Sequence, residues 1–263
     1  MVREVERVAD RLYLVGHDPS TGRPRLGPRQ LGLGLAAALV GELLIGGLAE
    51  VRDGVVRATA RRPLLRRVRH HSGGLAIMGW CVESHRTVSP DRAGEPCSWC
   101  GVDGAEVFPD RMAWDTRELI AREPAPRPVL DWLTVLAVDA ATLVAQRLAG
   151  DDWLIAEYRR SLWSGRLVRA WVPANVVEAD GARQALRRIA RQLDPHPPGV
   201  QERLVLGLVD AVQLTRMLIA DLPDPADATR VLAGVVAGLD GSLRLLVEQT
   251  RAAADNAVMT HTG

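Results

Sequence analysis

A ladder of leucines near the start of the chain constrains the fold more than any other feature. Four leucines recur at every fourth position: Leu31, Leu35, Leu39 and Leu43. This spacing places a wide apolar stripe along one side of an α-helix. Pro28 suits the first helical position, and Gly46-Gly47 supplies the backbone freedom that ends a helix. The ladder therefore predicts a buried helix from residue 28 to about residue 45, with the rest of the fold packed around it.

Short β-prone segments flank this predicted helix. Residues 11–15 alternate as a short strand and lead into a turn cluster at 18–22, Asp-Pro-Ser-Thr-Gly. After the helix, residues 48–51 and 55–58 form two predicted strands hinged on Arg52-Asp53-Gly54, a strong hairpin signal. The first 58 residues are therefore predicted to form a strand, a turn, a buried helix and a hairpin, in that order.

This combination resembles the opening of the Golgi phosphoprotein 3 family, which has many actinobacterial members. In that family a strand and a D-P-x-T-G-R turn precede a leucine- and alanine-rich helix, and a G-x-(L/I) hairpin follows. The matching residues are 12–14, Asp18, Pro19, Thr21, Gly22, Arg23, 31–35, Glu42, Leu43, Gly47 and Leu48. A second resemblance, mostly of helical pattern, begins at residues 129–133 and runs to about residue 247.

The resemblance implies a mostly α-helical domain that binds phosphatidylinositol 4-phosphate on membranes. Eukaryotic members also gather the cytosolic tails of glycosyltransferases. The family's headgroup pocket uses a tryptophan before the first long helix, an arginine within it and two arginines on a later helix. In this chain those positions fall near Gly27, at Ala36, and near Thr142 and Ala145. None of them carries the family's side chain, so the carry-over implies the scaffold and a membrane-facing surface rather than one headgroup.

The remaining pattern predicts a mainly α fold, with a central four-helix core surrounded by amphipathic helices and two short β-hairpins. Further helices are predicted at 129–149, 153–163, 180–193, 201–222 and 226–254. Asp224 and Pro225 provide a cap and a first residue for the last of these helices. Together with the leucine-ladder helix, the first and the last two of these helices form the predicted core.

The second predicted hairpin covers residues 166–177 and turns at Pro173-Ala174-Asn175. Helix, glycine stop and hairpin thus occur twice, as in two winged-helix units. Four residues are candidates for membrane contact: Arg166, Arg169, Trp171 and Val172. Tryptophan favours the headgroup region of a bilayer, and arginine is attracted to anionic lipid. By the resemblance this hairpin also contributes to self-association; the alternative is that its tryptophan packs back onto the domain.

A cluster of arginines follows the first hairpin, in a stretch from residue 54 to residue 82 that has no acidic residue. Its candidate lipid-binding members are Arg61, Arg62, Arg66, Arg67 and Arg69. Leu64, Leu65 and Val68 interleave with them at helical spacing, which suits an interfacial helix on anionic lipid. The alternatives are a solvated basic segment or a nucleic-acid contact, and the lack of an aromatic residue in the cluster disfavours the latter.

Residues 73–128 form an insert that the family does not normally have, rich in glycine, proline and polar residues. Its candidate metal ligands are Cys81, His85, Cys97 and Cys100. The C-x2-C pair followed by glycine suits two thiolates on one tetrahedral metal, so the four residues predict a structural Cys3His zinc site. His70 or His71 are substitutes for the histidine. The alternatives are incidental thiols, one disulfide with a spare cysteine, or a redox pair.

These shifts in composition define the predicted domain organisation. Residues 1–72 are the N-terminal part of a helical domain, 73–128 the insert, 129–254 the remainder of the helical domain, and 255–263 a disordered tail. At 263 residues the chain is long enough to bury a substantial core.

Composition and motifs narrow the function. The net charge of +1 argues against bulk affinity for nucleic acid, and the first residues lack an apolar signal region. We find no P-loop, G-x-S-x-G, dinucleotide-binding or H-E-x-x-H motif, and therefore predict no enzymatic activity. The sequence predicts a non-enzymatic, cytoplasmic adaptor, peripheral to a membrane, with anionic lipids and the cytosolic tails of membrane proteins as partners. The alternative is a winged-helix, zinc-stabilised regulator that binds nucleic acid.

Overall fold

The computed structural model describes residues 7–59, 66–69, 75–81, 86–88, 107–108, 111–160, 166–193 and 196–259, the short segments between 66 and 108 by their backbone only. The chain divides into two compact units, residues 1–41 with 128–263, and residues 42–127. In chain order the elements are α1 (Val8–Val15), α2 (Pro28–Ile45), β1 (Ala49–Arg52), β2 (Val55–Ala58), β3 (Arg66–Arg69), β4 (Leu75–Cys81), β5 (Arg86–Val88), β6 (Val107–Phe108), α3 (Arg111–Ala121), β7 (Arg127–Pro128), α4 (Val129–Ala137), α5 (Ala140–Gly150), β8 (Leu154–Arg160), β9 (Leu167–Pro173), α6 (Val176–Ala190), α7 (Val200–Ala211), α8 (Thr215–Ile219), α9 (Pro225–Ala237) and α10 (Gly241–Met259).

The leucine-ladder helix is α2, and its first 14 residues lie at the centre of the first unit. All four ladder leucines are buried. Three glycines let other helices come close, because a Cβ on Gly32 would overlap the carbonyl oxygen of Ala137 at the end of α4, and Cβ atoms on Gly34 and Gly41 would meet α7 and the residue that follows it. Helix α10 packs on α7 and α4. The predicted mainly α fold with a four-helix core is confirmed.

Helix α2 is also long and apolar enough to cross a membrane by length and composition alone. Within the part of the chain that the structure describes, the pair α4 and α5 would reach the same threshold only as one span, and it bends by 65°. Of α2, 67% is buried inside the protein. That burial is typical of a core helix, since the core helices of globular domains pass the same test.

Residues 11–15 are helical, so the predicted first strand is wrong. They belong to α1, in which Leu12, Tyr13 and Leu14 are all buried. A short apolar run has no periodicity that distinguishes a strand from a buried helix. Because nearly every residue of α1 is buried, its sequence lacks the alternation of apolar and polar residues that marks a helix with one exposed face. Helix α1 packs on α5, α6 and α7.

Three predicted long helices are interrupted. The helix predicted at 129–149 bends between α4 and α5 at Val138-Asp139. The one predicted at 201–222 breaks between α7 and α8, where Gln213 takes a left-handed conformation with φ of 63°. The one predicted from residue 226 ends at α9, and Asp240 accepts a hydrogen bond from the backbone N–H of Leu243 to begin α10. Helix α9 does carry the predicted Asp224 cap, on the N–H of Asp227 at 2.8 Å.

The segment predicted as a helix at 153–163 is a strand in its described part. Strand β8 pairs antiparallel with β9 over seven residue pairs. The predicted turn at 173–175 is also wrong, because Asn175 caps α6 and Val176 and Val177 begin that helix. The hairpin is therefore β8–β9 rather than 166–177, and residues 161–165, between the two strands in sequence, lie outside the described residues. The second helix–stop–hairpin unit does not exist, which removes the main argument for a winged-helix regulator.

The second unit contains the predicted first hairpin, β1–β2, with Gly54 at its turn. Strands β1, β2 and β7 form one sheet in that order, and β4 pairs with β3, β5 and β6 in another. Arg66–Arg69 is strand β3, so the predicted interfacial helix is wrong for that part of the arginine cluster. At the other end of the chain, α10 continues to Met259, so residues 255–259 are helical rather than a disordered tail; residues 260–263 lie outside the described residues.

Candidate functional site

The β8–β9 hairpin carries those predicted lipid-binding residues whose side chains the structure describes. Its Cα pairs run from Leu154 opposite Pro173 at the base to Arg160 opposite Leu167 at the far end. Side chains alternate across a strand, so one face of the hairpin is shared by every second residue. In its outer part that face presents Tyr158, Arg160, Leu167, Arg169 and Trp171. We call these five residues the hairpin patch.

Burial falls steeply along the hairpin. At the base, Leu154 and Pro173 are buried, whereas Tyr158 is 62% exposed and Leu167 66% exposed. Arg160 and Arg169 of the patch, and Arg166 beside it, are exposed as well. The hairpin is thus anchored at one end and presents an aromatic, an aliphatic and several cationic side chains at the other.

Arg169 organises the hairpin patch. Its guanidinium carbon lies 5.3 Å from the centre of the Trp171 ring and 5.9 Å from that of Tyr158, within the range of cation–π attraction. Its Nη2 also donates a hydrogen bond of 3.4 Å to the Tyr158 hydroxyl. A cation held between two aromatic rings keeps a charge and two amphipathic rings at one level. This is the composition that favours the boundary between lipid headgroups and acyl chains.

The hairpin residues predicted for membrane contact divide into two groups. Arg166 and Arg169 are exposed, and Trp171 is half-buried. Val172 lies on the opposite face near the base and is 9% exposed, so its assignment to membrane contact is wrong. Tyr158 and Arg160 are absent from the predicted set because residues 153–163 were predicted to be helical. The β-prone run Trp-Leu-Ile-Ala-Glu-Tyr before the arginines was the available signal.

A braced turn at residues 18–23 lies against the hairpin. The Asp18 carboxylate oxygen Oδ1 accepts hydrogen bonds from the backbone N–H and hydroxyl of Ser20 at 3.0 and 2.6 Å. The same oxygen accepts from the N–H and hydroxyl of Thr21 at 2.9 and 3.0 Å. These bonds from Ser20 and Thr21 favour the ionised form and hold the pKa of Asp18 well below its usual range.

His17 and Tyr13 form a buried pair beneath this turn. Their rings stack with centroids 3.9 Å apart, and His17 Nδ1–H donates to the Tyr13 carbonyl oxygen at 2.6 Å. Burial lowers the pKa of His17, and the charge of Arg25 lowers it further, while the bond to the Tyr13 carbonyl partly opposes the shift. The same burial raises the pKa of the Tyr13 hydroxyl, because in both residues it disfavours the charged form. His17 is therefore neutral at physiological pH and contributes packing.

A buried ion cluster fixes the helices from which the hairpin extends. Asp10 of α1 is 2% exposed and accepts hydrogen bonds from Arg147 of α5 at 2.8 and 2.9 Å. Arg7 donates to the same carboxylate at 2.7 Å and also pairs with Asp151, just before β8. Arg11 pairs with Glu202 of α7 at 2.8 Å, and although burial raises the pKa of Glu202, the bond from Arg11 lowers it on balance. These charges hold α1, α5 and α7 in register.

The four positions that correspond to the family's headgroup pocket do not form a cationic pocket here. Ala36 and Ala145 are buried in the core, at 0% and 1% exposure. Gly27 and Thr142 are exposed, and nothing lies within 4 Å of where a Cβ on Gly27 would be.

Several predicted site residues fall where the structure describes little or nothing. Arg61, Arg62, His85, Cys97 and Cys100 lie outside the described residues, and the side chains of Arg66, Arg67, Arg69 and Cys81 do so as well. Across the described parts of the chain, no group of three or more His, Cys, Asp or Glu side chains is placed to hold a metal ion. The zinc prediction therefore stays a prediction.

A cavity of about 520 Å³ in the first unit holds none of the predicted residues. It lies between α6, α7 and α9, and its walls include Ile189, Pro198 and Val235. Arg203 also lines it, and its guanidinium donates to the carbonyl oxygens of Pro198 and Gly238, both at 2.9 Å. That guanidinium therefore joins two chain segments, and the hairpin patch remains the best candidate site.

Comparison with known proteins identifies a family whose sequences match this chain. A family described as Golgi phosphoprotein 3 (GPP34) matches residues 8–255, nearly the whole chain. No curated protein matches the sequence significantly.

Proposed function

Because this chain belongs to the Golgi phosphoprotein 3 family, we propose that it is a peripheral membrane protein, a non-enzymatic adaptor that binds anionic phospholipid through the β8–β9 hairpin. The observation that carries the proposal is the hairpin patch, where the Arg169 cation lies against the rings of Tyr158 and Trp171 and exposed Leu167 shares the same face, above a buried base. The family is not a known enzyme family, which supports the adaptor role.

The energetics suit reversible attachment. Each arginine near an anionic leaflet contributes about 1 kcal/mol, so Arg160, Arg166 and Arg169 together contribute about 3 kcal/mol. Insertion of Leu167 and the ring of Tyr158 adds apolar burial at about 25 cal/mol per Å². The sum is enough for reversible binding that depends on salt, and it is far from the insertion energy of a membrane-spanning helix.

The resemblance favours phosphatidylinositol 4-phosphate as the headgroup, with phosphate charge as the feature recognised. Since alanines occupy the two buried pocket positions, Ala36 and Ala145, we expect recognition by charge density at the hairpin rather than by a closed pocket. The cytosolic tails of membrane proteins as partners, self-association through the hairpin and a cytoplasmic location are proposed on the same resemblance.

Structural zinc on Cys81, His85, Cys97 and Cys100 is a separate proposal, supported by the C-x2-C spacing. Metal analysis of protein produced with zinc supplied tests it: about one equivalent per chain is expected, and less than about half would refute it.

A vesicle sedimentation assay tests the proposed membrane function. The double variant Tyr158→Ser, Leu167→Ser removes the apolar part of the hairpin patch and is expected to weaken binding to anionic vesicles about tenfold. Val135→Ser, Val138→Ser is the matched control, because both valines are exposed, at 43% and 79%, and belong to α4 and its C-cap rather than to the hairpin.

Two outcomes would count against the proposal. Equal binding by the double variant and the control would exclude the hairpin as the contact. Binding to duplex DNA but not to vesicles, with a steep dependence on salt, would instead support a nucleic-acid-binding function.

A further inference from the structure

We infer that the turn at residues 18–23 is a clamp that fixes the orientation of the β8–β9 hairpin, with Gly22 and Arg159 as its positioning residues. The clamp acts on the free protein; its effect on membrane affinity rests on the proposed function. Two further observations carry the inference: the turn is rigid by itself, and it contacts both strands of the hairpin.

The rigidity comes from bonds within the turn. Besides the four bonds to Asp18 Oδ1, the turn is closed by backbone bonds of 2.8 Å from Asp18 N–H to the Arg23 carbonyl and from Gly22 N–H to the Asp18 carbonyl. Arg25 braces its base, donating through Nε to the His17 carbonyl at 3.0 Å. The turn is therefore pre-formed and needs no contact with the hairpin to keep its shape.

Contact with β9 is made through Gly22. A Cβ at this position would overlap the carbonyl oxygen of Trp171 and lie 3.1 Å from the Cα of Val172. Gly22 also has a φ of +66°, which side chains other than glycine rarely adopt. Only glycine lets the turn lie directly on the backbone of the strand that carries Trp171.

Contact with β8 is made through Arg159. Its Nη1 donates to the carbonyl oxygen of Thr21 at 3.2 Å, while its Nε and Nη2 donate to Glu157 at 3.1 and 2.9 Å. The strand, the neighbouring carboxylate and the turn are thus joined by one guanidinium. Arg159 is on the face opposite the hairpin patch, so this bond leaves the patch free.

The clamp compensates for the low stability of an isolated two-stranded hairpin. A two-stranded ribbon is marginally stable alone, and β8–β9 is a two-stranded sheet whose outer part is exposed. Holding it from one side fixes the direction in which Tyr158, Leu167 and Arg169 point. Pre-organisation of this kind strengthens binding by reducing the entropy lost at the membrane.

The test compares Gly22→Ala with Gly54→Ala in the full chain. Both glycines have positive φ, +66° and +74°, so alanine strains the two backbones alike. Nothing lies within 4 Å of a Cβ on Gly54, so only Gly22→Ala pushes on the hairpin. In the absence of vesicles, the rate of hydrogen–deuterium exchange at residues 154–160 and 166–173 is expected to rise about tenfold in Gly22→Ala. In Gly54→Ala the rate at these residues should stay unchanged.

A second pair keeps the inference testable if Gly22→Ala does not fold. Arg159→Gln and Arg160→Gln each remove one positive charge from adjacent positions, and only the first removes a bond to the turn. The rate of hairpin exchange in the absence of vesicles is expected to rise about threefold in Arg159→Gln and to stay unchanged in Arg160→Gln.

The outcomes separate the two ideas. Equal hairpin exchange within both pairs would overturn the clamp, whatever the protein does with vesicles. A rise in hairpin exchange in Gly22→Ala or Arg159→Gln, with no rise in the matching control, would support the clamp. If the wild-type protein then failed to sediment with vesicles, the clamp would stand and the membrane function would be refuted.

Discussion

At the scale of single residues, glycine decides how closely elements approach. Gly32 of α2 meets the carbonyl of Ala137, whereas a Cβ on Gly181 of α6 would have nothing within 4 Å. Gly32→Ala is therefore expected to destabilise the protein by about 1–3 kcal/mol through overpacking. Gly181→Ala should stabilise it by about 0.5–1 kcal/mol, since alanine is the better helix former. Urea unfolding measures both, and shifts of the same sign would contradict the packing of α2 on α4.

His17 links stability to pH. Its pKa is lowered in the folded protein from 6.5, the value expected in the unfolded chain. As pH falls below 6.5 the unfolded chain takes up the proton first, so stability is lost toward acid. His17→Gln is expected to lose less unfolding free energy between about pH 7 and about pH 5 than the wild type. A wild-type acid sensitivity retained in His17→Gln would contradict the buried, neutral imidazole.

The residue types alone were enough to predict the turn at residues 18–22, but not its contact with the hairpin. The Asp-Pro-Ser-Thr-Gly sequence marks a turn because Asp18 bonds its own neighbours, which is local chemistry. The same sequence could not show that Gly22 touches Trp171, because that contact joins residues far apart in the chain.

At the scale of elements, local signals in the sequence were enough to predict α2 and the β1–β2 hairpin. Both carry their periodicity and their ends within the segment, and Asp224 caps α9 as expected. The prediction for strand β8 failed because its hydrogen bonds come from β9, a partner that lies beyond the turn. The bend between α4 and α5 was not predicted because the apolar pattern runs through it without a glycine or proline.

The start of α6 offers an element-scale prediction. Asn175 accepts hydrogen bonds from the N–H groups of Val177 at 3.0 Å and Glu178 at 3.3 Å. Loss of this cap in Asn175→Ala is expected to cost about 1 kcal/mol of unfolding free energy. Asp224→Ala, at the α9 cap, provides a matched comparison in the same urea titration. An Asn175→Ala variant as stable as the wild type would favour a turn at 173–175 over a helix start.

At the scale of the whole molecule, the family match spans both compact units, and the hairpin belongs to the first. The sequence was enough to predict the family and to pick out Arg166 and Arg169 as candidates, and both are exposed. It could not reveal that Arg169 stands between Tyr158 and Trp171, since that arrangement depends on which strands pair and in what register.

The central claim is that cations on this hairpin bind an anionic membrane surface. The most direct test compares two triple variants in a vesicle sedimentation assay. The hairpin triple variant is Arg160→Gln, Arg166→Gln, Arg169→Gln. The control triple variant, Arg52→Gln, Arg122→Gln, Arg230→Gln, removes the same charge from exposed positions elsewhere. The hairpin triple variant is expected to bind anionic vesicles about a hundredfold more weakly than the control triple at about 0.1 M salt. Equal binding by the two triple variants, or equal binding of the wild type to neutral and anionic vesicles, would contradict the account.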